Sequence, residues 1–252
     1  MTAVRRWAAE LAAWTIDPEI LAAAPESPYG FPPGLFGGVR RPGRTVDTVR
    51  AAAPASVLDV GSGGGAASIP AGAAQLLAVD QSAELLDRYR SAAGSTPVRT
   101  WCGRWPDIAA EVPAADVVVA ADVVYNVPDI AEFVAALTDH ARRRVVVELS
   151  DRHPWTSMGA LWRHFHGQER PGGPTAELFG EVLAELGIAA ESATEPRPGP
   201  WEDAPADVVL AFTRRRLCLP ASREAEVAEA MRRFHDGRPR TSTTYWWPGT
   251  AS

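Results

Sequence analysis

The sequence contains no lysine, and all 25 of its basic residues are arginine. We attribute this bias to GC-rich codon usage rather than to phosphate recognition. The formal net charge is −6. Because neutralisation of phosphates drives most nucleic-acid affinity, this charge argues against a general surface for polyanions. The composition therefore favours a small-molecule partner and disfavours nucleic acid.

Cysteine is also scarce. The two cysteines, Cys102 and Cys218, are too few for a disulfide framework, and Cys102 falls in an apolar, strand-like run. We expect both to be reduced thiols that pack as small buried side chains.

Long apolar runs are absent as well. No run approaches the roughly 18 residues that a membrane helix needs, so no membrane partner is expected. Near the N-terminus, Glu10 and Asp17 interrupt the apolar segment that a signal peptide would require. These absences predict a soluble, cytoplasmic protein.

Strand-length apolar runs alternate with helix-period segments along most of the chain, which is typical of a doubly wound parallel sheet. The predicted strands are 55–61, 74–80, 96–103, 115–124, 143–150, 188–194 and 206–217. The connection before the last strand holds no helix, so that strand is expected at an edge in antiparallel pairing. The predicted fold is α/β, a mostly parallel, seven-stranded Rossmann-like sheet with an antiparallel edge strand and an N-terminal helical cap.

Three parts of the chain are expected. Residues 1–45 would form the helical cap, and residues 46–216 the sheet domain, which carries a polar and aromatic insertion at 151–174. Residues 217–252 would form a helix at 223–234 and a tail for which the sequence predicts no structure.

The segment "SVLDVGSGGG" predicts a strand that ends in a glycine loop, followed by a helix. The next strand ends about twenty residues later in an acid, Asp80. Glycines let a ligand approach the backbone, and an acid at this place can accept hydrogen bonds from ribose hydroxyls. The pattern therefore predicts a nucleotide-derived cofactor. Because Gly61, Gly63 and Ala66 also satisfy the loose G-x-G-x-x-G/A pattern, a nicotinamide or flavin dinucleotide is an open alternative.

Three ordered motifs, "VLDVGSGGG", "LLAVDQS" and "ADVVVAADVVYNVPD", resemble those of the class I S-adenosylmethionine-dependent methyltransferases. The resemblance spans residues 46–215 and implies S-adenosylmethionine as cofactor. Asp59 favours it over a dinucleotide, since a carboxylate there can interact with the positively charged methionine part but would repel a pyrophosphate.

The resemblance also implies where the cofactor contacts lie. The glycine loop would face the amino-acid part, Asp80 the ribose, and Gly103 to Trp105 the adenine, where "GRW" departs from the "GD" of many relatives. Trp105 would stack on adenine or, alternatively, pack in the core. The implied cofactor residues are Asp59, Gly61, Ser62, Gly63, Gly65, Asp80, Gln81, Gly103, Arg104, Trp105, Ala121 and Asp122.

Methyl transfer requires alignment of the acceptor and, where the acceptor atom is protonated, a place for its proton. His153, three residues beyond the fifth predicted strand, is the candidate general base, and Tyr125, after the fourth, is the candidate for shaping the acceptor site. The alternative for both is a structural role.

Aromatic residues of the cap and of the insertion could roof an acceptor pocket or simply close the core. The candidates are Tyr29, Phe31, Trp155, Trp162, His164, Phe165 and His166. Because His164 and His166 are two residues apart, they cannot share a helix face, and we expect no metal site.

The sequence therefore predicts a methyltransferase that acts on an oxygen or nitrogen of a small molecule. A nucleic-acid methyltransferase is an alternative, although the chain has no appended RNA-binding module and reads "DVVYN" after the fourth strand. A protein that binds S-adenosylmethionine without transferring its methyl group is another, because the glycine loop and Asp80 predict only binding.

Overall fold

The computed structural model describes residues 1–30, 32, 35, 43–197, 204–234, 237 and 239–252. Its strands are β1 (Ser56–Val60), β2 (Gln75–Asp80), β3 (Val98–Cys102), β4 (Ala115–Ala121), β5 (Ala141–Ser150), β6 (Glu191–Arg197) and β7 (Arg240–Pro248). Its helices are α1 (Ala3–Ala12), α2 (Pro18–Ala23), α3 (Arg44–Ala51), α4 (Ala83–Ala93), α5 (Ile130–His140), α6 (Gly159–His166), α7 (Ala176–Glu185), α8 (Ala206–Arg216) and α9 (Glu224–Arg233).

The described strands form one sheet in the order β3-β2-β1-β4-β5-β7-β6. Strands β1 to β5 pair in parallel, and β7 runs antiparallel to both of its neighbours. Helices cover both faces, which confirms the predicted α/β class with a mostly parallel, seven-stranded sheet. The carboxyl ends of β1 to β5 meet at one edge, where open α/β sheets bind ligands.

The antiparallel strand is not the one that the sequence predicted. Residues 206–217, expected as a strand, form α8 instead. A short apolar run cannot be assigned by periodicity alone, and the three arginines in the last turn of α8 suit the negative end of a helix dipole. The antiparallel strand is β7, in the tail, whose β-branched and aromatic residues favour extended structure. It lies between β5 and β6, so β6 is the edge strand on that side of the sheet, opposite β3.

The helix expected directly after the glycine loop is also missing. That connection contains only a 3₁₀ turn, Ile69–Ala71, with Pro70 at its start and Gly72 at φ +78° at its end. Proline and a left-handed glycine two residues apart leave no room for a longer helix.

The N-terminal helix α1 packs against α7 and contributes to the main core. Trp7 is fully buried, and its Nε1 donates a hydrogen bond to the carbonyl oxygen of Val127 at 2.9 Å. Its ring stacks on that of Tyr125 with centroids 6.2 Å apart. The beginning of the chain is therefore anchored beneath the end of β4.

A second, smaller cluster joins three distant segments: the chain after α1, the insertion and the C-terminal helices. Ile16, Trp162, Leu217 and Val227 are among its buried members. The two cysteines are free. Cys218 is buried as expected, but Cys102 is exposed at the end of an edge strand, where only one side of the strand is covered. Among the described residues, no helix is long and apolar enough to span a membrane.

Candidate cofactor and acceptor site

The glycine loop is tied to the neighbouring strand β2. The backbone N–H groups of Gly61 and Ser62 both donate to the carbonyl oxygen of Val79, at 2.8 and 3.0 Å. Asp80 then clamps the loop, because its Oδ2 accepts from the N–H of Gly63 and its Oδ1 from that of Ser82, each at 2.9 Å. The acid at the tip of β2 and the loop after β1 thus form one rigid unit.

The glycines of the loop have different reasons for lacking a side chain. Gly61, Gly63 and Gly65 have φ values of +67°, +50° and +84°, which disfavour other residues. A Cβ at Gly61 would collide with Val123, and one at Gly65 with Ile69. A Cβ at Gly63 would meet no described atom within 4 Å.

Open space at Gly63 is what a ligand lying against the main chain requires. Next to it, the Oγ of Ser62 is buried and has no hydrogen-bond partner in the described part of the chain. A cradle free of side chains, an unpartnered hydroxyl and the carboxylate of Asp80 together fit a nucleoside-type cofactor.

Asp59 does not face this cradle directly. It is 2% exposed, and its Oδ2 accepts a hydrogen bond from the Ser68 hydroxyl at 2.5 Å. The Ser68 hydroxyl also lies 2.7 Å from the hydroxyl of Tyr89. Burial raises the pKa of Asp59 to about 7, the charge of Asp80 adds to this, and the Ser68 hydrogen bond opposes it. Through this hydrogen bond, Asp59 helps to fix the segment that follows the glycine loop.

At the end of β3, the N–H of Gly103 donates to the carbonyl oxygen of Asp80 at 3.0 Å. Arg104 is exposed, as is Gln81, whose carbonyl oxygen accepts from the Cys102 thiol. Trp105 is only 5% exposed and packs edge-on against His140, with ring centroids 4.8 Å apart. This burial favours the core-packing alternative for Trp105 over adenine stacking.

The end of β4 carries a strained acid. After Ala121, Asp122 has φ +61°, and its N–H donates to the carbonyl oxygen of Glu148 at 2.9 Å. Both carboxylate oxygens of Asp122 accept from Arg197, at 2.7 and 2.5 Å. Burial lowers the pKa of Arg197, but the charges of Asp122 and Glu148 outweigh it and raise the pKa overall. The sequence analysis missed Arg197, because only the β6–β7–β5 register brings it to this edge.

Glu148 extends this network away from the edge. It is buried, and its Oε2 accepts a hydrogen bond from the Thr45 hydroxyl at 2.6 Å. The Thr45 hydroxyl also lies 2.9 Å from the hydroxyl of Thr244. The residues after β4 are therefore positioned by α3, β6 and β7 together.

Tyr125 lies just beyond this acid with its hydroxyl bound. The hydroxyl donates to the carbonyl oxygen of Ser150 at 2.5 Å. Burial raises the pKa of Tyr125 above its ordinary value, against the lowering effect of the Ser150 hydrogen bond. A phenol that stays protonated and donates its proton to a backbone carbonyl can form part of a pocket wall, but it is poorly placed to act as an acid or a base.

His153 is 3% exposed and lies between Trp14, stacked at 4.1 Å, and the edge of Tyr125 at 5.1 Å. Burial lowers its pKa to about 3, helped by the positive charges of Arg216 and Arg170. Its Nδ1 accepts from the backbone N–H of Trp155 at 3.2 Å.

The protonation state of His153 follows from these contacts. A neutral imidazole whose Nδ1 accepts a hydrogen bond carries its proton on Nε2. Nε2 is therefore a donor in this arrangement, and a group with such a low pKa is a weak proton acceptor. The geometry argues against the general-base role predicted for His153.

The remaining pocket candidates divide into two groups. Tyr29 is 52% exposed, and the Arg216 guanidinium lies 5.8 Å from its ring and 3.9 Å from that of Trp155. His164 and His166 contact the C-terminal segment instead: the His164 ring lies 5.2 Å from that of Phe234, and His166 Nε2 lies 2.8 Å from the Leu217 carbonyl oxygen. Phe165 belongs to the same small cluster, and Phe31 lies outside the described residues.

No group of histidine, cysteine and acidic residues in the described ranges could hold a metal ion. A cavity of about 460 Å³ lies between α1 and residues 171–178, away from the glycine loop. The sequence analysis also missed Trp14, Arg170 and Arg216, which carry no motif and meet only through tertiary contacts.

Comparison with known proteins gives a consistent assignment. Residues 58–145 match the family model of a methyltransferase domain. The YcgJ protein of Bacillus subtilis is 15% identical, with 82% of this chain and 99% of that chain covered and a TM-score of 0.53. A search of curated proteins found no match.

Two further structures share the fold. Magnesium protoporphyrin IX methyltransferase of Synechocystis, solved with bound S-adenosylhomocysteine (SAH), is 15% identical over 86% of this chain and 91% of that chain, with a TM-score of 0.51. A Galdieria sulphuraria protein provisionally assigned as sarcosine dimethylglycine methyltransferase is 12% identical over 93% and 97%, with a TM-score of 0.53. Residues 58–145, which run from β1 into β5, thus match a methyltransferase domain, and the chain shares the fold of class I S-adenosylmethionine-dependent methyltransferases.

Proposed function

We propose that the protein transfers the methyl group of S-adenosylmethionine to an oxygen or nitrogen atom of a small-molecule acceptor. The observation that carries this proposal is the arrangement at the carboxyl edge of the sheet. A cradle free of side chains, at Gly63 and Asp80, shares this edge with an aromatic wall formed by Trp14, Tyr125 and His153.

We assign cofactor contacts to the loop and to the strand ends. The loop from Gly61 to Gly65 would face the amino-acid part, Asp80 would accept hydrogen bonds from the ribose, and Gly103 would border the adenine. Asp59 would act on the cofactor only indirectly, because its carboxylate already accepts a hydrogen bond from the Ser68 hydroxyl. When bound, S-adenosylmethionine supplies a methyl group on a positively charged sulfur.

The protein's part in the reaction would be mainly alignment and exclusion of water. Asp122, held by Arg197, and Tyr125, held by Ser150, would lie beside the approaching acceptor. Side chains that are held in place beside the reacting atoms can lower the reaction barrier by orienting the acceptor alone. No general base is assigned.

The proposal of a small-molecule acceptor is based on the composition of this chain and not on its structural relatives. Two structurally similar enzymes are named for small acceptors, a porphyrin and an amino acid, but at their low identity the likeness supports only the fold. The net charge of −6 supports a small acceptor over nucleic acid.

The first test is cofactor binding by calorimetry. Asp80→Ala should weaken S-adenosylmethionine binding by roughly 1.5–3 kcal/mol, because it removes charge-assisted hydrogen bonds. Asp107→Ala, which removes an exposed acid, is the matched control and should bind as the natural protein does. Equal affinity in both variants would overturn the cofactor assignment.

The second test is turnover, followed as SAH release with panels of small molecules and of RNA or DNA. Release that depends on a small acceptor supports the proposal. Release only with nucleic acid would replace it with the nucleic-acid alternative, and tight cofactor binding without turnover on any panel would favour the non-catalytic alternative.

A further inference from the structure

Two arginines from separate segments lie beside His153. Arg170 belongs to the insertion and Arg216 to the last turn of α8, and the positive charges of both act on His153. Neither guanidinium forms an ion pair with any described residue. The titratable groups that counter their charge from neighbouring elements are the Tyr29 hydroxyl and the Cys218 thiol, and neither is a carboxylate.

Two other partly buried arginines, in contrast, are neutralised by carboxylates. Arg197 pairs with Asp122 at 2.5 Å, and Arg214, two residues before Arg216, pairs with Glu26 at 2.7 Å and with Glu224 at 3.5 Å. Among the described residues, the region around His153 therefore holds two arginines without a carboxylate partner.

Both guanidinium groups are held in place by neutral contacts. Arg216 lies 3.9 Å from the Trp155 ring centroid and donates to the carbonyl oxygen of Pro28 at 3.0 Å. Arg170 lies between the rings of Trp14 and Trp162, at 5.2 and 4.8 Å, and its Nε is buried without a partner. A guanidinium has five N–H donors, so both retain unused donors in fixed positions.

His153 adds a third donor. Its Nε2 makes no hydrogen bond to a described residue, and the whole residue is 3% exposed. Of the three groups, the Nε of Arg170 is buried without a partner, and such a donor costs free energy unless a ligand satisfies it.

We propose that Arg170, Arg216 and the Nε2–H of His153 bind an anionic oxygen group, a carboxylate or a phosphate, of the acceptor. This inference rests on the proposed function and names its substrate class. The place is suitable, because His153 follows β5 and touches Tyr125, which follows β4, at the edge where ligands of such sheets bind.

The proposed site would select acceptors by charge. An anion would neutralise two partly buried cations, and the low local dielectric strengthens that attraction. A neutral analogue of equal size would leave both cations uncompensated and bind more weakly.

The test measures binding of matched probes to the protein saturated with SAH. The pairs are 4-hydroxybenzoate with 4-hydroxybenzamide, indole-3-acetate with indole-3-acetamide, and phenyl phosphate with phenyl sulfamate. By calorimetry, the anionic member of at least one pair should bind about tenfold more tightly than the neutral member. The first two pairs report a carboxylate and the third a phosphate.

Variants then locate the preference. Arg170→Gln and Arg216→Gln should each remove it while leaving the affinity for SAH unchanged. Arg163→Gln is the matched control, because Arg163 lies in the same insertion, is exposed and pairs with Glu169. Arg216→Lys, which retains the charge, should keep part of the preference, and circular dichroism will show which variants fold.

Three results would overturn the inference: neutral members that bind as tightly as anionic ones, anionic probes that all fail to bind, or a preference that survives in folded Arg170→Gln and Arg216→Gln proteins. The first two need no variant. Failure of the natural protein to bind S-adenosylmethionine, measured on the same samples, would instead overturn the proposed function.

Discussion

Among single residues, Gly63 is a position where an added side chain would affect ligand binding without a clash in the folded chain. A Cβ there would meet no described atom within 4 Å, whereas a Cβ at Gly61 would collide with Val123. A substitution at Gly61 therefore disturbs packing as well as the loop. Gly63 is the position at which added volume enters only the space assigned to the cofactor.

We predict that Gly63→Ala weakens S-adenosylmethionine binding about tenfold or more, because the new methyl group would occupy the cradle. Its φ of +50° should also lower the free energy of unfolding by about 1–2 kcal/mol. Calorimetry and chemical denaturation measure the two effects.

The matched control is Gly187→Ala, which has φ +74° and open space but lies at the end of α7. It should show a similar loss of stability and no loss of affinity. Unchanged affinity in Gly63→Ala would mean that the cofactor does not lie against this backbone.

Asp59 makes stability depend on pH in an unusual direction. Its pKa is about 7 in the folded protein, because of burial, and 3.8 without such effects. Between these values the folded state holds a proton that the unfolded state has lost, so this residue's contribution to stability falls as pH rises from about 4 to 7.

We predict that Asp59→Asn, which cannot ionise, becomes progressively more stable relative to the natural protein over that pH range. The difference in unfolding free energy should grow by roughly 2–4 kcal/mol from pH 4 to pH 8. Urea denaturation at several pH values measures it, with the exposed Asp107→Asn as control. A difference that is constant with pH would show that folding does not raise the pKa of Asp59.

Among the elements, β7 joins the C-terminal tail to the centre of the sheet. Its residues alternate between the two faces, and Trp247 is buried with its Nε1 donating to the Thr138 hydroxyl at 2.9 Å. Trp246, on the opposite face, is only partly buried and its Nε1 donates to Glu191.

We predict that Trp247→Ala lowers the free energy of unfolding by about 3–5 kcal/mol, the usual cost of removing a buried tryptophan. Trp246→Ala should cost clearly less, because less of its surface is removed from water. Denaturant unfolding compares them directly. Equal losses would argue against the β5–β7 register that places Trp247 in the core.

At the scale of the whole molecule, Trp14 joins the N-terminal segment to the insertion. Its ring stacks on His153, its Nε1 donates to the carbonyl oxygen of Gly173 at 2.5 Å, and its own carbonyl oxygen accepts from Arg170. The two segments that border the proposed acceptor site are therefore expected to open together.

We predict that Trp14→Ala speeds hydrogen exchange in residues 14–23 and 151–174 together, while β1 and β4 keep their protection. In the natural protein, SAH with a bound anionic probe should slow exchange in both segments at once. Trp246→Ala, remote from this contact, is the control. Exchange that changes in one segment only would show that the two move independently.

The sequence by itself determined the features that depend on short-range chemistry. Left-handed glycines after an apolar strand, an acid about twenty residues later, and helical spacing in α4, α5 and α7 follow from local backbone preferences and side-chain period. These were enough to predict the α/β class and to place Asp80 at the tip of β2, where it accepts a hydrogen bond from the glycine loop.

The tertiary structure alone decided the features that depend on partners distant in sequence. Pairing with β5 made the tail a strand and left 206–216 as a helix, because a short apolar run is stable in either form until its neighbours are known. Burial and one backbone hydrogen bond occupy the Nδ1 of His153 and lower its pKa, which argues against a general base there. The meeting of Arg170 with Arg216, and of Asp122 with Arg197, arose from long-range packing that no local pattern encodes.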